Sequence, residues 1–249
     1  MWVDTHCHLQ LSTADPATLL DRAAAVGVTW VVSPGTDAIT SAESRDLAAA
    51  FPGVVVSTAG LHPHDAGAWD ADGDAITALA AGAAAIGECG LDYYRNLSPP
   101  DQQRAVFRHQ VRMAGELDKP IIVHCRDAFG DVYDILDEAS AGPRAVLHCW
   151  TGGPRWTRRF DDLGVTFSFA GPITFDTGQT IRLAAAVAPP GRTMVETDTP
   201  YLTPPPDRGA PNEPANVVRV GEALAAVWAV PVEEVARMTT ATATRVFRG

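Results

Sequence analysis

The chain has 249 residues, 46% of them hydrophobic, which is enough apolar mass for a full core. Its formal net charge of −11 argues against broad attachment to a nucleic-acid backbone, but leaves room for a nuclease whose cations make a local positive site. No apolar stretch approaches the ~20 residues of a membrane span. The opening Met1-Trp2-Val3-Asp4-Thr5-His6 has no basic region and no signal-type apolar segment, so a cytoplasmic protein without membrane attachment is expected.

Strand signals fall at 2–6, 29–33, 54–59, 84–88, 120–124, 145–148, 165–169 and 193–197. Helical patterns alternate with them at 16–26, 38–50, 72–82, 101–117, 128–140, 154–163 and 177–187, and two more at 214–228 and 231–247 close the chain. Asp15-Pro16 and Pro100-Asp101 read as helix starts. Gly27, Gly53, Gly142 and Gly164 sit where left-handed helix caps are needed. This alternation predicts an α/β fold, a (β/α)8 TIM barrel whose active site lies at the C-terminal ends of the strands. No composition shift or linker marks a boundary, so residues 1–249 read as one domain. The Pro-rich stretch 203–214 follows the last strand and reads as a rim loop.

Six side chains of metal-ligand type close these apolar runs: His6 and His8, then Glu88, His124, His148 and Asp198. Delivered from successive strand ends, they would converge on two divalent cations and make a hydrolytic centre. The spacing of His6 and His8 aims both imidazoles to one side, as capture of a single ion requires. Glu88 is the acid that closes a mid-chain strand, which makes it the bridge between the ions. The only lysine, Lys119, begins a strand and so lies at the wrong end of the barrel to bridge. His124 and His148 complete the second ion's set. Asp198 would bind the first ion and accept the proton of the attacking water. Glu196 is either an alternative ligand or a carboxylate that orients a histidine.

Arg126 and Arg208 are expected to grip a phosphate, and His62 and His64 to line the rim. Asp92, Tyr93, Tyr94 and Arg95 read as another rim loop, with Tyr93 a substrate-binding residue. His109 reads as a surface residue. Cys7, Cys89, Cys125 and Cys149 each neighbour a proposed ligand, lack Cys-x-x-Cys spacing, and read as small packing residues behind the site.

The pattern resembles the TatD family of metal-dependent nucleases among the amidohydrolase-like barrels. The resemblance is carried by Asp4-Thr5-His6-Cys7-His8-Leu9, Gly60-Leu61-His62-Pro63-His64, Gly87-Glu88-Cys89-Gly90-Leu91-Asp92-Tyr93-Tyr94, His124-Cys125-Arg126 and His148-Cys149-Trp150-Thr151-Gly152. It continues through Glu196-Thr197-Asp198-Thr199-Pro200-Tyr201-Leu202 and Arg208-Gly209-Ala210-Pro211-Asn212-Glu213-Pro214, and so covers nearly the whole chain. It implies hydrolysis of phosphodiesters, typically as a 3′→5′ DNA exonuclease, with two metals on His6, His8, Glu88, His124, His148 and Asp198. Two departures stand out. Trp150 replaces the usual Phe and is expected to alter the pocket, and Thr242 stands near the C-terminus where Asn is common.

Two rival readings remain. TatD-like proteins include members resembling D-aminoacyl-tRNA deacylases, in which the same ions would polarise an ester carbonyl on tRNA. A scaffold that has lost its chemistry is the other, since fold alone does not fix function. The expected substrate is single-stranded DNA or a 3′ end, with no obligate protein partner. The cofactors are two divalent ions per chain, Mg²⁺, Mn²⁺ or Zn²⁺; four imidazoles with two carboxylates suit Zn²⁺ or Mn²⁺, whereas Mg²⁺ prefers oxygen.

Overall fold

The computed structural model describes residues 1–249. Its strands are β1 Trp2–Asp4, β2 Val28–Ser33, β3 Val55–Ala59, β4 Ala85–Asp92, β5 Ile121–Arg126, β6 Ala145–Leu147, β7 Thr166–Phe169 and β8 Thr193–Val195. All pair in parallel, in chain order. The first and last strands meet through Thr5 N–H to Val195 O at 3.2 Å, Asp198 N–H to His6 O at 2.8 Å and His8 N–H to Thr199 O at 2.7 Å, which brings the ring of eight together. The helices are α1 Pro16–Ala25, α2 Ala38–Ala50, α3 Trp69–Ala80, α4 Pro100–Glu116, α5 Phe129–Glu138, α6 Gly153–Asp162, α7 Gln179–Ala185, α8 Val217–Trp228 and α9 Val232–Arg248. The barrel expected from the alternation is the fold. No single helix is long and apolar enough to cross a membrane.

Local chemistry sets the ends of the elements. Asp15 accepts the Thr18 N–H at the start of α1, with Pro16 in the first turn. Asp37 and Thr40 form a capping box on α2. Gly27, Gly53 and Gly164 adopt the left-handed φ expected of them. Gly142 does not. The left-handed residue after α5 is Ser140, and Gly142 opens a short 3-10 turn where a Cβ would meet the Leu163 carbonyl oxygen at 2.0 Å.

Two strands differ in length from expectation. β1 stops at Asp4, so His6 and His8 lie beyond it, on a segment laced to the chain after β8. β4 continues to Asp92 because it stays paired with β5, matching Gly90 to His124, Leu91 to Cys125 and Asp92 to Arg126.

The core has two layers, and their alternation aims the site. Ile121, Val123 and Cys125 pack outward in the larger cluster, under the helices, while Ile122 belongs to the smaller, inner one. His124 shares the face of Ile122 and so points inward. Parity likewise turns His148 in with Val146, and Glu196 in with Met194, while Leu147 and Val195 face out. The inner cluster is completed by Ala243 and Phe247 of α9, which close the N-terminal end of the barrel. The inner space opposite that end is left to polar groups.

Trp150 is fully buried against Phe129, Phe160 and Phe167, with its indole N–H on Thr157 Oγ1 at 2.8 Å. The departure from Phe therefore alters the outer core, not the pocket as expected. Thr242 donates to Gly191 O at 3.3 Å and ties α9 to the start of β8.

Lys119 does sit away from the strand C-terminal ends. Its Nζ donates to the carbonyls of Ala80, Ala81 and Ala83 at 2.6, 2.7 and 2.5 Å, and so satisfies the otherwise open end of α3. Lys119→Met is expected to cost about 1–2 kcal/mol, reduced from the full charge-assisted value by partial exposure. Melting temperature should fall by about 4 °C with activity unchanged; an unchanged melting curve would remove the lysine from this role.

Candidate metal centre

Asp4 anchors the exit from β1. Its carboxyl accepts N–H bonds from His6 at 3.3 Å and Thr197 at 2.9 Å, and the Thr197 hydroxyl at 2.6 Å, so the segment carrying His6 is fixed to the one carrying Asp198. Complete burial pushes this carboxyl well above its ordinary range, against those hydrogen bonds.

Two sets of donor atoms face each other across Glu88, which is 2% exposed. Glu88 Oε2 lies 3.2 Å from His6 Nε2 and 3.5 Å from His8 Nε2. These two nitrogens are 3.2 Å apart, and Asp198 Oδ1 stands 3.8 and 3.5 Å from them. The other carboxylate oxygen, Glu88 Oε1, lies 3.0 Å from His124 Nδ1, 2.9 Å from His148 Nε2 and 3.3 Å from His62 Nε2. His124 Nδ1 and His148 Nε2 are themselves 3.3 Å apart.

The residues fit divalent cations. Atoms bonded to one ion at about 2.0–2.2 Å sit roughly 3 to 3.5 Å from one another, and the separations within the two sets, 2.9–3.8 Å, lie close to that. Imidazole nitrogens and carboxylate oxygens are also the donor chemistry of hydrolytic Zn²⁺ and Mn²⁺ centres. Electrostatics agree. Burial would raise Glu88, but the fields of His148, His62 and His6 and the hydrogen bond from His124 hold it well below the usual carboxylate range. Burial would likewise raise Asp198, yet His8, His6 and His148 hold it low. Both acids are therefore ionised and available as ligands.

Further carboxylates stand behind the histidines. His124 Nε2 lies 3.2 Å from Asp92 Oδ2, and His64 Nε2 reaches the same oxygen at 2.9 Å. His148 Nδ1 lies 3.3 Å from Glu196 Oε1, which also accepts the Cys149 N–H at 2.6 Å. Such outer carboxylates fix the tautomer and orientation of a ligand histidine and raise its basicity. Glu196 thus stands behind His148, the second of its two expected roles, though it also falls in a possible ligand group with His6 and His148. Asp92 is the residue whose importance the sequence understated. It is a buried strand residue, not a loop residue, and it serves two histidines.

The centre opens into a cavity of about 610 Å³. His8, Glu88, His124, His148 and Asp198 line it, as do His62, His64 and Arg126 among the expected substrate residues. His62 lies deeper than a rim residue. Its Nδ1 accepts the His64 N–H at 3.2 Å, so its proton sits on the Nε2 that faces Glu88. Burial lowers its pKa to about 4 and keeps the ring neutral.

Tyr93 and Arg208 are not among the lining residues. The Tyr93 hydroxyl donates to Asp131 Oδ2 at 2.5 Å and accepts from Arg104 at 3.0 Å, tying β4 to α4 and α5. The Arg208 guanidinium lies 3.7 Å over the Phe175 ring. Arg95, which the sequence places on the same rim loop as Tyr93, does line the cavity, together with Thr36, Leu11 and Tyr201, which the sequence did not single out as substrate residues. For Tyr201 a signal was present: it follows Asp198 by three residues, on the same turn. Cys7 and Cys89 are buried packing residues, whereas the buried Cys125 and the half-buried Cys149 both line the cavity. Burial pushes all four thiols up, away from reactivity.

The family model described as TatD related DNase matches residues 3–248. The chain is 37% identical to the uncharacterized metal-dependent hydrolase YabD of Bacillus subtilis (strain 168), over 100% of this chain and 99% of that protein. It is 36% identical to the 3'-5' ssDNA/RNA exonuclease TatD of Citrobacter rodentium (strain ICC168), over 94% of this chain and 92% of that one. The crystal structure of YJJV, a TatD homologue from Escherichia coli K12, superposes with a TM-score of 0.90 at 26% identity, covering 100% of this chain and 98% of the other.

Proposed function

We propose, from the premise that the chain belongs to the TatD-related DNase family, that this metal-dependent hydrolase uses two cations to cleave phosphodiesters from the 3′ end of single-stranded nucleic acid. The observation that carries the reading is the division of Glu88. One carboxylate oxygen faces His6 and His8, the other faces His124 and His148, as a bridge between two ions requires.

His6, His8, Glu88 and Asp198 would hold one cation, and Glu88, His124 and His148 the other. When bound, such cations supply Lewis acidity and lower the pKa of water toward neutrality. Asp198, ionised and exposed to the cavity, takes the proton of the attacking water. Water adds its oxygen to phosphorus, the bond to the leaving sugar oxygen breaks, and that oxygen acquires a proton. Arg126 and Arg95, on the cavity wall, face the phosphate charge, and the Nε2–H of His62 is a neutral donor beside it. His64 and Asp92 keep His124 oriented throughout. The relative named 3'-5' ssDNA/RNA exonuclease supports the choice of polymer and direction.

Single-stranded oligonucleotides labelled at the 5′ end, with a free or a phosphorothioate-blocked 3′ end, test the reading in Mg²⁺, Mn²⁺ and Zn²⁺. The expected result is a ladder shortening from the free 3′ end and none from the blocked one. Release of amino acid from a mischarged tRNA, with intact oligonucleotides, would overturn it in favour of ester hydrolysis.

A further inference from the structure

We propose that the mouth of this cavity carries two stacking subsites for unpaired bases, Tyr201 on one side and Tyr94 on the other, and that these select single strands over duplexes. The inference rests on the phosphodiester reading above and adds which residues recognise the substrate.

Ten large hydrophobic side chains are exposed on the molecule, and only two of them are aromatic: Tyr94, 64% exposed, and Tyr201, 53% exposed. One lines this cavity and the other packs on a residue that does. Tyr201 lines it directly, three residues beyond Asp198, and its ring lies 6.3 Å from that of His8. Tyr94 follows Asp92 by two residues, and its ring carries the guanidinium of the cavity-lining Arg126 at 3.9 Å. The ring order of the strands sets the two apart. Tyr201 leaves the junction of β8 with β1, whereas Tyr94 leaves β4 beside β5, half a barrel away. The metal-ligating residues therefore lie between two outward-facing aromatic rings.

Neither ring is loosely hung. The Tyr201 N–H donates to Asp198 O at 2.8 Å, and the buried Asn212 amide donates to the carbonyls of Tyr201 at 2.7 Å and Thr197 at 3.0 Å. The Tyr201 turn is thus tied to the Asp198 turn by groups that water does not reach. Arg126 clamps one face of Tyr94 by a cation–π contact. A large aromatic held in water on a fixed backbone, beside a cavity that carries Arg95 and Arg126, is the arrangement on which nucleic-acid bases stack.

Charge points the same way. With a net charge of −11 the surface cannot draw in a polyanion along its length, and the cavity itself has Arg95 and Arg126. Affinity beyond the reacting phosphate must come from the bases. In a duplex those π-faces are already stacked, so only an unpaired segment can occupy both tyrosines.

The test uses the metal-loaded full chain. KM and kcat are measured on a thymidine oligomer and on one of equal length whose residues flanking the cleaved phosphate are abasic, and Kd for each is measured by fluorescence anisotropy. Tyr201→Ala and Tyr94→Ala are expected to raise KM and Kd for the base-bearing oligomer about ten-fold each. Neither substitution should affect the abasic oligomer, and Tyr201→Phe and Tyr94→Phe should restore wild-type values. If both alanine variants keep the wild-type preference for the base-bearing oligomer, the subsites are absent. Should the wild type cleave neither oligomer, the phosphodiester reading fails, and the anisotropy comparison alone then judges the stacking.

Discussion

Glu88→Gln is expected to reduce the bound cations from two per chain to one or none, and to slow phosphodiester hydrolysis by at least about a hundredfold. The substitution keeps shape and volume, so the fold should survive. It removes the charge and replaces one acceptor oxygen by an NH2 group. That group would face either the His6–His8 pair or the His124–His148 pair, whose nearest nitrogens now lie 2.9–3.5 Å from a carboxylate oxygen. A donor placed there repels a cation and takes up the imidazole lone pairs that would otherwise bind it. Metal analysis by plasma mass spectrometry after dialysis, run beside the oligonucleotide assay, reads both effects. A Glu88→Gln protein that kept two ions and the wild-type rate would remove Glu88 from the bridge.

Asp198→Asn addresses the chemistry more than the assembly. Its carboxylate is ionised, lines the cavity, and stands 3.5 Å from His8 Nε2. Loss of a positioned base costs about 10²–10⁴-fold in kcat, and asparagine cannot take a proton from water. Its backbone bond to His6 O, 2.8 Å long, does not involve the side chain, so the local turn should persist. The expected outcome is a kcat lower by that factor, with KM for a single strand little changed. A rate within about tenfold of wild type would assign the proton to another group.

The parts of this site that were legible in the sequence follow strand parity. A run such as Ile121-Ile122-Val123-His124 is apolar on both faces, and its last residue faces inward whatever the neighbouring loops do, because Ile122 already belongs to the inner layer. His148 and Glu196 were readable by the same rule. Parity also explains what was misread. Had β4 ended at Glu88, Tyr93 would have been a free rim residue. Because β4 runs on to Asp92, Tyr93 continues the face of Cys89 and Leu91 and packs against the outer core. Asp92 continues the face of Glu88 and meets the histidines. Where a strand stops is set by its partner, here β5, and a single stretch of sequence does not contain that information.

The depth of His62 was hidden for a related reason. Its place beside Glu88 comes from the packing of β3 against β4, where Gly60 approaches Gly87 so closely that a Cβ would lie 2.6 Å from the Gly87 Cα. Arg208 reads from sequence as one more arginine on a rim loop. Only the fold shows that Phe175, after β7, takes its guanidinium.

Electron paramagnetic resonance of chelator-stripped protein titrated with Mn²⁺ tests the binuclear claim most directly. Two ions sharing one carboxylate are magnetically coupled, so the spectrum at two equivalents should be that of an exchange-coupled pair, which Glu88→Gln abolishes. Saturation at a single equivalent, or two ions with the spectra of isolated Mn²⁺, would contradict it.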